Sequence, residues 1–379
     1  MIAKNIRAVA TAFVLGTAAL AAATMPADAA VRAAVGKPLQ EAQSLTASGN
    51  YSAALAKVRQ AESVSGLTAE ESKIVKQMKD YITVKAGGSG GPVESGPGAQ
   101  AKFNADWNAR RYRDVIADED LLRKFNVLSG TYEIVVGQAY EQLDDYRGCV
   151  RYADSHSSAG AQMLKLGASC AFKAGDDKLA LEMALKLVAA APSPENWDQL
   201  LRQAERSKQL SDPQTLDIYR LKLLTGNMKG ADDYFTLAQM LIAGRVAGEA
   251  AGVIDRGVQA KLLVDQRAQR LIGMAKKGQA DEAAGIGKSL AAAQKAPRGD
   301  DLIKVGEELT GIGRYGDAVG AIQSGIAKGV ADPDNAQVRL AVALYGAKQK
   351  PAALSALDRT KTPNGTMVAK MWSAYIRGH

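Results

Sequence analysis

One short pattern recurs along this chain and limits what it can fold into. A glycine or polar residue is followed, two positions on, by an aromatic or small residue, and three further by another small one. Gly313-Arg314-Tyr315-Gly316-Asp317-Ala318 is the fullest copy, and Gly49-Asn50-Tyr51-Ser52-Ala53-Ala54 repeats it near the N-terminus. Variants read Asp144-Asp145-Tyr146-Arg147-Gly148-Cys149, Gly175-Asp176-Asp177-Lys178-Leu179-Ala180, Arg245-Val246-Ala247-Gly248-Glu249-Ala250 and Gly278-Gln279-Ala280-Asp281-Glu282-Ala283. The first residue closes one helix and permits a tight turn. The last lets two helix backbones come close. Each copy therefore predicts the turn of a helical hairpin, and stacked hairpins bury one another's apolar faces.

The spacing supports the stacking. Taking the small residue early in each second helix as a mark gives Val115, Cys149, Ala180, Ala250, Ala283, Ala318 and Ala353, with successive gaps of 34, 31, 70, 33, 35 and 35 residues. The gap of 70 equals two units, so a worn repeat belongs between Ala180 and Ala250. Pro194-Glu195-Asn196-Trp197 opens a helix there with Leu200, Leu201 and Ala204, and Asp212-Pro213 opens another with Leu216, Tyr219, Leu221 and Leu224. Proline in the first turn after an aspartate is a helix start signal.

A period near 34 with two helices per unit resembles the tetratricopeptide-repeat (TPR) family, from about Pro38 to Arg359 outside a linker. The family pattern puts a bulky residue, then Leu-Gly, then Tyr on the first helix, and Ala then Phe on the second. Glu133, Val136, Gly137 and Tyr140 followed by Cys149 and Ala153 match it. So do Leu302, Val305, Gly306 and Leu309 before Ala318 and Ile322, and Tyr234, Leu237, Ala238 and Leu241 before Ala250 and Ile254. No repeat is complete, and related helical-hairpin solenoids are the alternative. The resemblance implies an all-α fold: a right-handed α-solenoid of stacked helical hairpins, roughly eight or nine of them. Composition agrees. Aromatics are only 5%, while alanine and glycine are abundant, which suits close helix packing and disfavours a β-sandwich.

Four regions follow. Residues 1–29 read as a secretory signal, with Lys4 and Arg7, an apolar run from Ala8 to Ala23, and small residues at Ala27 and Ala29 before a mature start at Ala30. Residues 30–86 form a helical hairpin plus a third helix, which Thr68-Ala69-Glu70-Glu71 opens as a capping box. Residues 87–98, starting Gly87-Gly88-Ser89-Gly90-Gly91-Pro92, read as a hinge. Residues 99–379 form the main array, capped by a helix over Asn364 to Arg377 with Met367, Val368, Met371, Trp372 and Tyr375 on its apolar face. No later stretch is long and apolar enough for a membrane span. The expected location is the periplasm, with secretion as the alternative.

No catalytic site is legible. The net charge is +8, but bases and acids interleave, as in Arg110, Arg111, Arg113 and Asp114; a nucleic-acid stripe needs bases clustered on one face. Gly287-Lys288-Ser289 has the ending of a phosphate-binding loop, but Glu282 stands where its first glycine is needed. His156 lies in a turn beside Asp154, Ser155, Ser157 and Ser158, and a triad would need these groups to converge. No metal-ligand spacing occurs and no cofactor is expected. Gly244, Gly248 and Gly252 read as a close approach between helices. Cys149 and Cys170 permit a disulfide in an oxidising compartment, with two buried thiols as the alternative.

The expected function is an exported bacterial interaction scaffold, not an enzyme, holding a peptide or partner protein in its concave groove. A structural or enzyme-associated envelope subunit is the alternative. The family resemblance implies that Thr131, Gln138, Gln162, Lys165, Phe235, Gln239, Ile242, Ile303, Glu307, Val338 and Tyr345 face that groove. Their apolar members are expected to be solvent-facing in the free protein. The family's carboxylate clamp needs Lys, Arg and Asn on adjacent first helices; only Lys165 fits, so that activity is not carried over.

Overall fold

A residue at positive φ ends helix after helix. Gly49, Gly175 and Gly313 take φ of 77°, 67° and 78°, where glycine meets no Cβ penalty. Asp144, Arg245 and Lys348 hold the equivalent turns at 55°, 60° and 63°. The computed structural model describes residues 31–86, 93–206 and 210–379. Among these residues the only regular elements are helices. The chain is an all-α solenoid of stacked helical hairpins, TPR-like in construction. The proposed signal at 1–29 and residues 87–92 of the proposed hinge lie outside the described residues.

Two compact units divide between Leu128 and Ser129. The first holds α1 (Ala33–Ala47), α2 (Tyr51–Glu62), α3 (Ala69–Lys85), α4 (Gly96–Asn108) and α5 (Tyr112–Lys124). Thr68 and Glu71 form the expected capping box, and Arg32 grips Glu71 from the start of α1 at 2.8 Å. Sequence places a domain boundary at residues 87–98, but α4 begins at Gly96 and packs on α3. Ser95 caps α4 while donating to Asp80 of α3 at 2.8 Å, so the two helices are tied across that stretch.

The second unit holds α6 (Gly130–Gln142), α7 (Tyr146–Ser155), α8 (Ala161–Lys173), α9 (Asp177–Ala190), α10 (Pro194–Glu205), α11 (Asp212–Leu224), α12 (Ala231–Ala243) and α13 (Ala247–Gln259). It continues with α14 (Gln266–Lys295), α15 (Asp300–Gly311), α16 (Tyr315–Lys328), α17 (Pro333–Gly346), α18 (Lys350–Leu357) and α19 (Pro363–Gly378). The worn repeat is present as α10 and α11, both opened by the expected prolines. The marks Val115, Cys149, Ala180, Ala250, Ala318 and Ala353 are buried. Cys149 of α7 and Cys170 of α8 form a disulfide, with Cα atoms 6.1 Å apart.

Two expectations are corrected. Gly278 makes no turn: α14 runs unbroken for 30 residues, and Ala283 is exposed on it. The run is rich in Ala, Lys and Gln, all helix formers, and Gly278 is needed for something else. A Cβ there would lie 2.6 Å from the Cβ of Ala247, so α13 packs directly on the α14 backbone. One turn on, Glu282 accepts hydrogen bonds from the Ala247 and Gly248 amides and caps α13 from outside. The second correction concerns the groove. Phe235, Ile303 and Val338 are buried, at 3%, 6% and 2% exposure. Phe235 belongs to a core of α12, α13 and the first half of α14, with the Arg267 guanidinium 4.1 Å from its ring centre. Ile303 and Val338 belong to a second core that runs from α9 through α11 and on to α19. Their helices, α15 and α17, pack on each other, and α19 packs on α17, α11 and α9. The unit thus folds its last helix back onto its own middle.

Candidate functional site

Charged residues occupy apolar phases of two helices, α11 and α17. Asp217 and Arg220 sit beside Ile218 and Leu221 on α11, and Arg339 lies between Val338 and Leu340 on α17. Burial of such groups requires partners, and helices α13, α15, α17 and α19 bring them. Arg220 donates to Glu249 of α13 through Nε and Nη2, at 2.8 and 2.6 Å, and through Nη1 to Glu307 of α15 at 3.3 Å. Arg339 donates to the same Glu307 oxygen at 2.9 Å and pairs with Asp217. Trp372 of α19 donates its indole N–H to Asp217 at 3.2 Å, across 155 residues of sequence. One network therefore joins α11, α13, α15, α17 and α19.

Three carboxylates share two guanidiniums here. Burial pushes the Asp217 carboxyl up to about 7, against the pull of Arg220 and the Trp372 N–H. Burial likewise pushes Glu307 up to about 7; Arg220 opposes the shift and Glu249 adds to it. Burial works against the Arg220 cation, but Glu249 and Glu307 outweigh it and hold its pKa above the ordinary value.

Above the network opens a pocket of about 470 Å³. Leu223, Leu224, Val253, Val342, Tyr315 and Tyr345 form its apolar wall, and Arg220, Glu249, Glu307, Arg339 and Trp372 its polar floor. Arg256 and Lys348 also line it and are both exposed. Glycines bring the walls together. A Cβ on Gly248 would lie 2.5 Å from Ile312, and one on Gly346 would lie 2.3 Å from the Tyr315 ring. Gly248 thus makes the close helix approach expected of it, whereas Gly252 faces the pocket with open space at its Cβ position.

No protein-family model and no curated protein matches the chain. Solved structures similar to it include the pentatricopeptide repeat protein PPR10 from maize, at 13% identity and a TM-score of 0.27, over 88% of this chain and 61% of that one. The APC/C hetero-tetramer Cut9-Hcn1 is similar at 11% identity and a TM-score of 0.23, over 89% of this chain and 66% of that one. The chain spans under two thirds of either. Likeness at this level assigns no ligand.

Of the groove residues expected from sequence, the pocket gathers Glu307 and Tyr345. Gln138 and Ile242 are half-buried on α6 and α12, while Thr131, Gln162, Lys165 and Gln239 are exposed on α6, α8 and α12; none of these lines the pocket. Sequence reasoning missed Arg220, Glu249, Arg256, Arg339, Lys348 and Trp372. The legible signal was a charge at a core phase of an apolar helix, at Arg220 and Arg339. The groups around His156 do not assemble as a triad would require. Its Nδ1 lies 3.0 Å from both Ser155 Oγ and the Tyr152 carbonyl, within its own helix end, and its ring stacks on Tyr152. Asp154 pairs with Lys186 instead. Gly287-Lys288-Ser289 lies inside α14.

Proposed function

We propose that this chain is an exported bacterial interaction scaffold of the periplasm, which holds a partner protein through the pocket between α11, α13, α15 and α17. The pocket is the observation that carries the reading. Its volume falls within the range of specific binding sites, about 300–1,000 Å³, and half-buried Tyr315 and Tyr345 give it aromatic anchors. A partner side chain seated there would be oriented by the charged floor. Export is supported by the signal-like residues 1–29 and by the Cys149–Cys170 disulfide, a bond that persists in oxidising compartments.

The test uses Gly252→Phe. Gly252 sits on α13 in the pocket lining, and a Cβ added there would meet nothing within 4 Å, so a large side chain at this position starts into open pocket space. The full chain is purified from the periplasmic fraction, weighed intact and used to capture partners from envelope extract. The expected mass begins at Ala30, and the expected partners bind the native chain but not Gly252→Phe. Equal capture by both forms refutes the pocket reading, and a mass that retains Met1 to Ala29 refutes the cleavage.

A further inference from the structure

The charges that line the pocket do not balance. Four cations, Arg220, Arg256, Arg339 and Lys348, line it with two carboxylates, Glu249 and Glu307, while a third, Asp217, lies beneath them paired with Arg339. The acids are already engaged by Arg220 and Arg339. Arg256 and Lys348 form no salt bridge among the described residues. Both are exposed, and both line the same pocket as the apolar wall. An apolar wall with two cations free of salt bridges beside it matches a molecule with an apolar body and an anionic head. The body removes wall surface from water, and the head meets the two uncommitted cations. The fold also limits the ligand's size. Because α19 packs on α11 and α17, the inner surface at that end is covered by the chain itself, and a volume of about 470 Å³ suits a small molecule.

We propose that the pocket is a receptor for a small organic anion with an apolar or aromatic body, held at its head by Arg256 and Lys348. The assignment rests on the pocket being the binding site, and it adds a ligand that binds in its own right. A carboxylate and a phosphate head satisfy the same cations, so the test separates them.

Phenylbutyrate, phenylbutyl phosphate and phenylbutylamine are titrated into the full chain, with intrinsic tryptophan fluorescence as readout, to which Trp372 in the pocket floor contributes beside Trp107 and Trp197, and Gly252→Phe as the blocked control. One or both anions are expected to give a saturable response that weakens with added salt, and the amine is expected to give none. Which anion binds more tightly identifies the head group. Arg256→Gln with Lys348→Gly is expected to weaken anion binding about ten-fold. Both side chains are exposed, and glycine suits the positive φ at Lys348, so this variant folds. An amine that binds as well as the anions, a double variant that binds anions as tightly as the native chain, or no saturable response to any probe overturns the proposal. Partner capture that depends on Gly252 without any preference among the probes would sink the anion assignment alone. Anion binding with Gly252-independent capture would sink the scaffold reading alone.

Discussion

Many turns between successive helices here hold one residue at positive φ, and the chain supplies it in two ways. Where glycine stands, as at Gly313 or Gly175, the conformation is unstrained. Where Arg245 stands, with φ of 60°, the Cβ crowds the following carbonyl, a cost of roughly 1–2 kcal/mol per residue. Arg245 is exposed, and no salt bridge is formed by it among the described residues. Arg245→Gly is therefore expected to stabilise the second unit by about 1 kcal/mol, less the extra entropy that glycine gives the unfolded chain. Urea denaturation measures this, and a loss of stability would mean that the arginine makes a contact worth more than the strain. The same scale explains an error of reading. Phe235 and Ile303 look like groove residues because they stand at inner first-helix positions, yet each is buried in a core. Position within a repeat does not reveal what will cover it.

Among the elements, α14 separates local signal from tertiary outcome. Gly278-Gln279-Ala280 matches the turn pattern in letters, but nothing in it forces a left-handed residue, and the helix continues through Lys295. Gly273 and Gly287 on the same helix are exposed, with nothing within 4 Å of an added Cβ. In a continuous helix each glycine costs roughly 0.5–1 kcal/mol relative to alanine. Gly273→Ala with Gly287→Ala is therefore expected to add about 1–2 kcal/mol, the two sites being far enough apart to act independently. Thermal unfolding followed by circular dichroism checks it, and no gain would argue against an unbroken helix. Hairpins closed by a positive-φ residue were legible from sequence, and α10 and α11 were legible from the prolines that open them. The fused helix was not, because its deciding feature is the approach of Ala247 from α13 to the α14 backbone.

In the second unit as a whole, helices far apart in sequence build a buried charge network that no repeat pattern announces, and the folding of α19 onto α9 and α11 adds Trp372 to it. Sequence places Trp372 on the apolar face of a terminal cap, and the indole is buried as expected; its N–H, however, serves Asp217 on α11. The network carries a pH dependence whose sign follows from burial. Asp217 and Glu307 are raised to about 7 in the folded chain, while an unfolded chain releases such protons near pH 4. Between these limits the folded state binds more protons than the unfolded one, so stability falls as pH rises. The favourable contribution is complete below about pH 4 and is lost as pH passes through about 7. Asp118 in the first unit, pushed by burial to about 6, acts in the same direction. A comparison with Glu307→Gln isolates the network, because glutamine keeps an acceptor for Arg220 and Arg339 but removes the titrating proton. The midpoint of thermal unfolding is expected to drop between pH 5 and pH 8 in the native chain, and to drop less in Glu307→Gln. An unchanged slope in the variant would mean that Glu307 is already ionised throughout that range and that the two guanidiniums, not burial, set its charge.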